Sequence, residues 1–425
     1  MSSQPKFSDK DEVAPVRRYG RWQQGLRAGD WLNWERIRFA CVCSAILYVL
    51  GLVWMLAVPN KFGSPNGVVM MDYLSFWLAG KQALSGAPEL VYNPPAFSAL
   101  QRELSGSDTQ FGFFYPPTFQ MMQSLFAILP YRAAFAAFIV VTTGLLFLVC
   151  RLITGKWLLA ACLILIPACA NNAFHGQNAA LTAALYGFFL LGIERQRMIL
   201  AGIAVGLLTI KPQLGILIPF ALLASWNWRT LLSASVTTLA FAGLSAAVLG
   251  LGVWLVFWQQ APVAAAVMKF GGVEWGKMIS VYGAGRVAGL GDTAATVLQV
   301  IFGLGALAAV WLAWRRSERM VVRAPVLVGG ALLVTPFALS YDMTLIVVPC
   351  AFLIREGLKT GFLPYEKMAL FVVIAMSMST SPLAVWLSIP VAPLLPMLLV
   401  WMGWRRLSWE MGTLAPEARE RAVSA

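Results

Sequence analysis

The stretch RAAFAAFIVVTTGLLFLVC, residues 132–150, decides the fold class of this chain. Apart from Arg132 at its start it carries no charge, and as a helix it can cross the roughly 30 Å hydrocarbon core of a bilayer. The whole chain of 425 residues is 59% hydrophobic and only 12% charged, with a mean hydropathy of +0.72. Such a composition cannot cover the surface of a soluble protein. The sequence therefore predicts an all-α polytopic membrane protein.

Similar apolar runs recur along the chain, separated by short loops that contain charges, proline or glycine. They predict about twelve transmembrane helices, at 39–58, 132–150, 157–170, 179–193, 198–210, 212–225, 230–250, 291–314, 324–339, 343–354, 368–380 and 391–404. The runs on either side of His175 and Lys211 are short, which indicates shortened helices that meet at a recessed loop lined by protein.

The predicted domain organisation is one transmembrane domain, 39–404, between an N-terminal tail, 1–38, and a C-terminal tail, 405–425. Two long loops, 59–131 and 251–290, are expected on the outer side, with juxtamembrane helices in the first of them. The apolar segment 116–129 of that loop could be counted as a thirteenth span, but this would invert every later loop and place more charge outside.

The distribution of basic residues predicts the orientation. The formal net charge is +13, and 24 of the 32 Lys and Arg residues fall on the side that holds both termini. By the positive-inside rule this side is cytoplasmic. The charges therefore indicate contact with membrane lipids and no nucleic acid partner. The six cysteines lie inside apolar runs without metal-ligand spacing.

The first outer loop contains MDYLSFWLAGKQALSG, residues 71–86, in which Asp72 begins an amphipathic helix just beyond the first span. Near the apolar boundary, and beside Tyr73 and Trp77, this carboxylate should have a raised pKa and would suit a general base. Asp is also a preferred helix N-cap, which is the structural alternative.

Aromatic and amide side chains follow in two segments. Tyr115 lies in FFYPPTF, where sugar stacking and membrane anchoring are both possible. His175, Gln177 and Asn178 lie in NNAFHGQNAA, residues 171–180, on the predicted outer side. Their side chains could bind sugar hydroxyls, or they could cap helix ends and satisfy one another.

Two cations on the predicted outer side could bind an anion together. Lys211, with Gln213, lies in TIKPQLG, and Arg286 ends the stretch KMISVYGAGR of the second outer loop. If both converged on one phosphate they would stabilise a leaving group. In the alternative interpretation, Lys211 extends to the interface and Arg286 is solvated.

Asp342, preceded by Tyr341 in TPFALSYDMTL at 335–345, is a second outer-face carboxylate at the mouth of a span. It could pair with Lys211 or Arg286. Asp72 and Asp342 could in principle hold a divalent ion, although two acids so far apart in sequence are weak support for a metal site. No nucleotide-binding motif is present, so we expect neither a soluble nucleotide donor nor another cofactor.

Together, these motifs resemble glycosyltransferase family 87. The resemblance is carried by MDYLSFWLAGKQALSG, the YPP of 115–117, the GQN of 176–178, the KPQ of 211–213 and the TPFALSYDM of 335–343. It implies a GT-C type helical bundle with its active site in the first outer loop. Characterised members are mannosyltransferases that use polyprenyl-phosphate mannose, which implies a bacterial plasma (inner) membrane location with the site facing the periplasm or cell exterior.

The resemblance assigns Asp72 as the base that deprotonates an acceptor hydroxyl of a glycolipid or glycan. That hydroxyl would displace polyprenyl phosphate from a hexose, expected to be mannose, with inversion. Lys211 would bind the donor phosphate; Arg286 joins it on position and charge alone. Residues 340–343 read SYDM where some relatives place a histidine in the later outer-face segment, which weakens the assignment of the sugar.

A transporter or flippase of a lipid-linked sugar is the alternative function. Transporters are typically built from internal repeats and carry charges on broken helices at the membrane midplane. The chain shows no convincing repeat, and Lys211 is the one candidate for such a charge. Two long outer loops favour the transferase.

Overall fold

The computed structural model describes residues 21–57, 72–108 and 110–412. Within these ranges the protein is α-helical and contains no strand; Met278 and Leu339 form an isolated antiparallel bridge. The predicted all-α fold class is confirmed.

The helices are numbered here in chain order. The first eleven are α1 (Arg21–Ala28), α2 (Trp34–Ala57), α3 (Tyr73–Leu84), α4 (Pro94–Ser105), α5 (Pro117–Ala127), α6 (Tyr131–Thr154), α7 (Trp157–Ile164), α8 (Pro167–His175), α9 (Ala179–Glu194), α10 (Met198–Leu207) and α11 (Pro212–Gly215). The others are α12 (Ile218–Ala224), α13 (Trp228–Leu249), α14 (Leu251–Gln259), α15 (Ala261–Lys269), α16 (Val281–Val287), α17 (Asp292–Arg316), α18 (Met320–Val334), α19 (Val347–Thr360), α20 (Glu366–Met376), α21 (Thr380–Leu387) and α22 (Leu394–Glu410). Short 3₁₀ segments are Pro88–Tyr92, Leu208–Ile210, Trp275–Lys277 and Ser340–Ile346.

Length and hydropathy identify fewer spans than the sequence predicts. Five described helical segments are long and apolar enough to cross a membrane, and seven if each of two bent pairs is one span. Four shorter apolar segments accompany them: Ala179–Glu194, Met198–Ile210, Pro212–Ala224 and Met320–Val334. The protein is therefore a multi-pass membrane protein, while the number of twelve spans remains a prediction.

The helices are interrupted near the two predicted positions. α7 and α8 are bent by 57°, where Pro167 begins α8 and cannot donate a backbone hydrogen bond to the preceding turn. α8 then ends at His175, because Gly176 adopts a left-handed conformation with φ 66°. Farther along the chain, a 3₁₀ turn and Pro212 separate α10 from α12 around Lys211. Polar backbone groups thus become available near His175 and Lys211.

Some element boundaries differ from the prediction. Residues 251–269, expected within the second outer loop, form α14 and α15, which together are apolar and long enough to count as a span. α2 begins at Trp34, inside the predicted tail, and α22 continues to Glu410. Residues 1–20 and 413–425 of the predicted tails lie outside the described residues. The juxtamembrane position of α3, α4 and α5 remains a prediction.

The loops that carry most of the basic residues join one another at one end of the bundle. Arg355 pairs with Glu194, Arg319 pairs with Glu356, and the Ser317 hydroxyl donates to Glu410 over 2.8 Å. We call this end the basic face. The predicted first outer loop contacts Gln177 and Lys211, and His175 contacts Tyr341. These contacts lie near the starts of α9 and α19, whose other ends carry Glu194 and Arg355, so we call this end the opposite face.

Two glycines allow α10 and α13 to approach closely. A Cβ at Gly202 would overlap the Ser233 Cβ, and one at Gly206 would lie 2.5 Å from the Thr237 Cβ. The spacing GIAVG, residues 202–206, is the small-xxx-small pattern of membrane helix pairs. This interface therefore depends on the absence of side chains at these positions.

We expect Gly206→Val to destabilise the protein by about 1–3 kcal/mol, because the added methyl groups overpack this interface. Gly243→Val on α13 is the matched control, since no atom lies within 4 Å of a Cβ there. Thermal unfolding in detergent measures both variants. Equal melting temperatures would show that α10 and α13 are not in close contact at Gly206.

Candidate active site

Asp72 lies in the turn that immediately precedes α3. It occupies the N-cap position, yet its side chain makes no capping hydrogen bond. Instead, the Asp72 Oδ2 accepts a hydrogen bond of 2.6 Å from the Gln177 Nε2. The side chain is half-buried. The helix-cap alternative therefore does not describe this carboxylate, which is held against a distant segment and still reaches open space.

Gln177 orients Asp72 through an ordered amide. Its side chain is buried, and its Oε1 accepts a hydrogen bond of 3.1 Å from the Tyr115 hydroxyl. Because the oxygen accepts from Tyr115, the amide nitrogen is directed at Asp72. Burial, together with the charges of Asp342 and Asp72, raises the pKa of Tyr115 well above its usual value, so the phenol remains a donor. Tyr115, Gln177 and Asp72 thus form one hydrogen-bonded chain.

Lys211 and Asp342 form a buried ion pair beside this chain. The Lys211 Nζ lies 2.5 Å from the Asp342 Oδ1, and the two side chains are only 3% and 1% exposed. The Asp342 Oδ2 accepts from the backbone nitrogen of Leu339 over 3.0 Å. The Lys211 Nζ also lies 3.5 Å from the Asn178 Oδ1. Of the two cations considered for Asp342, the structure pairs it with Lys211.

Aromatic side chains surround the ammonium group. The Lys211 Nζ lies 4.8 Å from the ring centroid of Tyr341 and 5.9 Å from that of Tyr115. These ring faces favour a cation. The exposed His175 also lies near Tyr341, with 6.3 Å between ring centroids. Its Nδ1 lies 2.9 Å from the Asn171 carbonyl oxygen, so Nδ1 carries a proton and Nε2 is left to meet a ligand.

The pKa of Asp72 is raised above its usual value, because burial penalises the charged form. The hydrogen bond from Gln177 and the charges of His175, Lys277 and Lys211 oppose this effect. A base needs this combination, since a raised pKa increases proton affinity while the cations keep the carboxylate available.

Tyr73 and Trp77 make packing and hydrogen-bond contacts within the predicted first outer loop and with α6. Tyr73 is fully buried, and its ring contacts those of Phe135 and Phe138, with centroids 5.5 and 5.2 Å apart. The Trp77 indole donates to the Leu129 carbonyl over 3.0 Å. Both side chains thereby fix α3, which follows Asp72, against its neighbours.

Arg286 lies on α16, with its guanidinium 4.1 Å from the ring centroid of Trp275. It interacts electrostatically with Tyr282 and Asp292, whereas the charges that act most on Asp72 are those of His175, Lys277 and Lys211. Gln213 lies half-buried on α11. Lys211 is thus among the charges with the largest effect on Asp72, whereas Arg286 packs against Trp275.

Lys277, which lies in the predicted second outer loop, is a cation that acts on Asp72. It ends the 3₁₀ segment Trp275–Lys277, is exposed, and lies 3.4 Å from Glu274. Sequence reasoning missed this residue, although it opens the KMISVYGAGR stretch that ends at Arg286. The sequence offered two signals for a cation near Asp72: a positive charge and a position in the predicted second outer loop. Lys277 and Arg286 share both signals, so the sequence does not distinguish them.

No group of three or more His, Cys, Asp or Glu side chains that could hold a metal ion occurs in the described part of the chain. Asp342 is engaged by Lys211 and by a backbone nitrogen. The arrangement as it stands offers an oriented carboxylate, hydroxyl and amide donors, and cations on one face of a helical membrane protein. These are the parts of a site that activates a hydroxyl next to an anionic group.

The comparison with protein families identifies the class. The model of glycosyltransferase family 87 matches residues 113–336, which is more than half of the chain. The chain therefore belongs to glycosyltransferase family 87, and it is a membrane glycosyltransferase. Neither the comparison with curated proteins nor that with solved structures gave a match.

We expect Lys211→Met to destabilise the protein by about 3–5 kcal/mol, because it leaves Asp342 charged, buried and unpaired. The double variant Lys211→Met/Asp342→Asn should regain part of this loss, since it removes the charge and keeps an acceptor for Leu339. Unfolding in detergent measures both. Lys277→Met, which breaks an exposed pair, is the control and should cost about 1 kcal/mol or less. A single variant as stable as wild type would contradict the pair.

Proposed function

We propose that the protein transfers a hexose, expected to be mannose, from a polyprenyl-phosphate donor to an acceptor hydroxyl at the opposite face, taken to be the outer face of the membrane. The acceptor is a glycolipid or a glycan. The single observation that carries this proposal is the half-buried Asp72, which Gln177 orients within the field of two lysines and His175. Membership of glycosyltransferase family 87 favours the transferase over a transporter or flippase.

In the proposed reaction, Asp72 accepts the proton of the acceptor hydroxyl as its oxygen attacks the anomeric carbon. The new bond forms as the bond to the phosphate oxygen breaks, so the configuration inverts and polyprenyl phosphate leaves with the electron pair. A phosphate is a good leaving group that needs cations more than a protonating acid. We assign this stabilisation to Lys211 and Arg286, together with Lys277. The ammonium group of Lys277 is exposed and is not part of the buried ion pair between Lys211 and Asp342.

Hydroxyl recognition is assigned to the polar and aromatic groups around the carboxylate. Tyr115, His175, Gln177 and Asn178 supply donors and acceptors near Asp72 and Lys211. Tyr341 supplies an aromatic face. We assign Tyr73 and Trp77 to the support of α3. Gln213 and Asp342 are assigned to the surroundings of Lys211. We propose no metal or cofactor in this reaction.

A lipid-linked donor is supported by an apolar groove whose lining includes sequence neighbours of the site residues. A cavity of 390 Å³ lies between α12, α15, α17 and α18, and its lining includes Ile216, Leu217, Val334 and Pro336. These residues directly follow the segment of Lys211 or precede that of Asp342 along the chain. An isoprenoid chain in this groove would leave its phosphate near the ion pair.

We expect Asp72→Asn to lower transfer from radiolabelled polyprenyl-phosphate mannose into membrane lipid extract by at least about 100-fold, since the amide cannot accept the proton. Asp292→Asn, a carboxylate that bonds Tyr282 in the second outer loop, is the matched control and should retain activity. Polyprenyl-phosphate glucose is assayed in parallel. Full activity of Asp72→Asn would overturn the base assignment, and transfer only from the glucose donor would overturn the sugar.

The acid limb of the pH profile tests the role of Gln177. Asp72 must be ionised to act, so activity should fall as the pH decreases through its raised pKa. Because the Gln177 hydrogen bond lowers this pKa, Gln177→Leu should raise it further and move the acid limb of kcat/KM to higher pH. A profile that keeps its midpoint while its amplitude drops would show that Gln177 does not tune Asp72.

A further inference from the structure

A polar cleft lies on the basic face, and its lining includes no residue of the candidate active site. Its volume is 470 Å³, and it is formed by the end of α12, the end of α17 and the start of α18. Its lining residues are Ala224, Ser225, Trp226, Trp314, Arg315, Arg316, Ser317, Glu318 and Arg323. Three arginines therefore face one cleft that also contains a single carboxylate.

The cleft carries positive charge that no ion pair among the described residues neutralises. None of its three arginines forms an ion pair with any residue of the described ranges, in contrast to Arg319 and Arg355 on the same face. Glu318 interacts with Arg323 only at longer range. Arg315 and Arg316 are exposed. An anion in the cleft would meet at least two guanidinium groups that no carboxylate engages.

Arg323 is held so that it faces the cleft. It is only 6% exposed, and it donates from Nε to the Ser317 carbonyl over 2.6 Å and from Nη2 to the Trp314 carbonyl over 2.9 Å. Its guanidinium also lies 4.8 Å from the Trp314 ring centroid. These contacts satisfy backbone carbonyls at the end of α17 and fix the guanidinium in place, and both of its hydrogen-bond acceptors are uncharged.

Trp226 gives the cleft an aromatic rim. It is 69% exposed, and its φ of 56° is a left-handed conformation that a bulky residue rarely adopts. The chain turns here in the way that usually favours glycine, with hydrogen bonds from Trp226 and Asn227 back to Leu223 and Leu222. An exposed tryptophan beside Trp228 at the end of membrane helices is typical of the lipid interface.

We propose that this cleft binds the phosphate of an anionic phospholipid headgroup. Arg315, Arg316 and Arg323 contact the phosphate oxygens, and Trp226 lies against the glycerol and upper acyl region. A lipid is favoured over free phosphate because the cleft opens where α17, one of the helices long and apolar enough to span a membrane, ends. Basic pockets between membrane helices commonly take such headgroups. The site is independent of the proposed transferase chemistry.

Native mass spectrometry tests the proposal by titrating phosphatidylglycerol against phosphatidylcholine on the purified full-length protein. We expect Arg315→Gln/Arg316→Gln to weaken phosphatidylglycerol binding by about tenfold or more, with phosphatidylcholine unaffected. Arg229→Gln/Lys359→Gln is the matched control: it removes two exposed charges from the same face outside the cleft. Equal losses in the two double variants, or no loss in either, would overturn the site.

Two further measurements distinguish a bound lipid from free phosphate and test its orientation. Inorganic phosphate at millimolar concentration should leave phosphatidylglycerol bound, and its displacement would identify a phosphate site instead. Brominated phosphatidylglycerol should quench tryptophan fluorescence less in Trp226→Phe than in wild type. Equal quenching would place the acyl chains elsewhere and contradict the assigned orientation.

Discussion

The buried pair of Lys211 and Asp342 is the interaction on which the rest of this structure depends. Both groups sit where regular helix gives way to 3₁₀ turns, and neither side chain meets bulk water. A bilayer tolerates such interruptions only where polar groups are satisfied within the protein. By joining the turn after α10 to the turn before α19, the pair permits non-helical backbone beside the groove and places Asn178 and Tyr341 around one cation.

The contrast between Asp72 and Asp342 explains how one face can hold two acids with different tasks. Asp342 has a lysine at contact distance and a backbone donor, so both of its oxygens are engaged. Asp72 has a single amide donor and remains half-buried. Its cations act from farther away, which stabilises the charge without blocking the oxygens. Availability rather than acidity therefore distinguishes the acid proposed for chemistry from the acid that holds the fold.

Sequence patterns predicted which residues belong to the candidate site better than they predicted which of these residues contact one another. An acid or a lysine beside an apolar span is costly, so Asp72, Lys211 and Asp342 stand out by hydropathy alone. Their partners depend on tertiary contacts between segments more than 100 residues apart, and no local signal separates Lys277 from Arg286. The fold class follows from composition. Residues 251–269 were predicted as part of an outer loop, because their modest hydropathy of 1.4 resembles that of an amphipathic loop; they form two helices that together are long enough to be a candidate span.

The separation between Lys211 and Asp342 also has a consequence for biosynthesis. The pair spans 131 residues, and ribosomes add about 5–20 residues per second, so Lys211 leaves the ribosome roughly 7–26 s before its counterion is made. During this interval an uncompensated ammonium in the membrane interior is costly. We expect the Lys211 side chain to extend to the membrane interface during this interval. The packing of α10 and α12 is therefore completed only after the later part of the chain supplies Asp342, the carboxylate that pairs with Lys211.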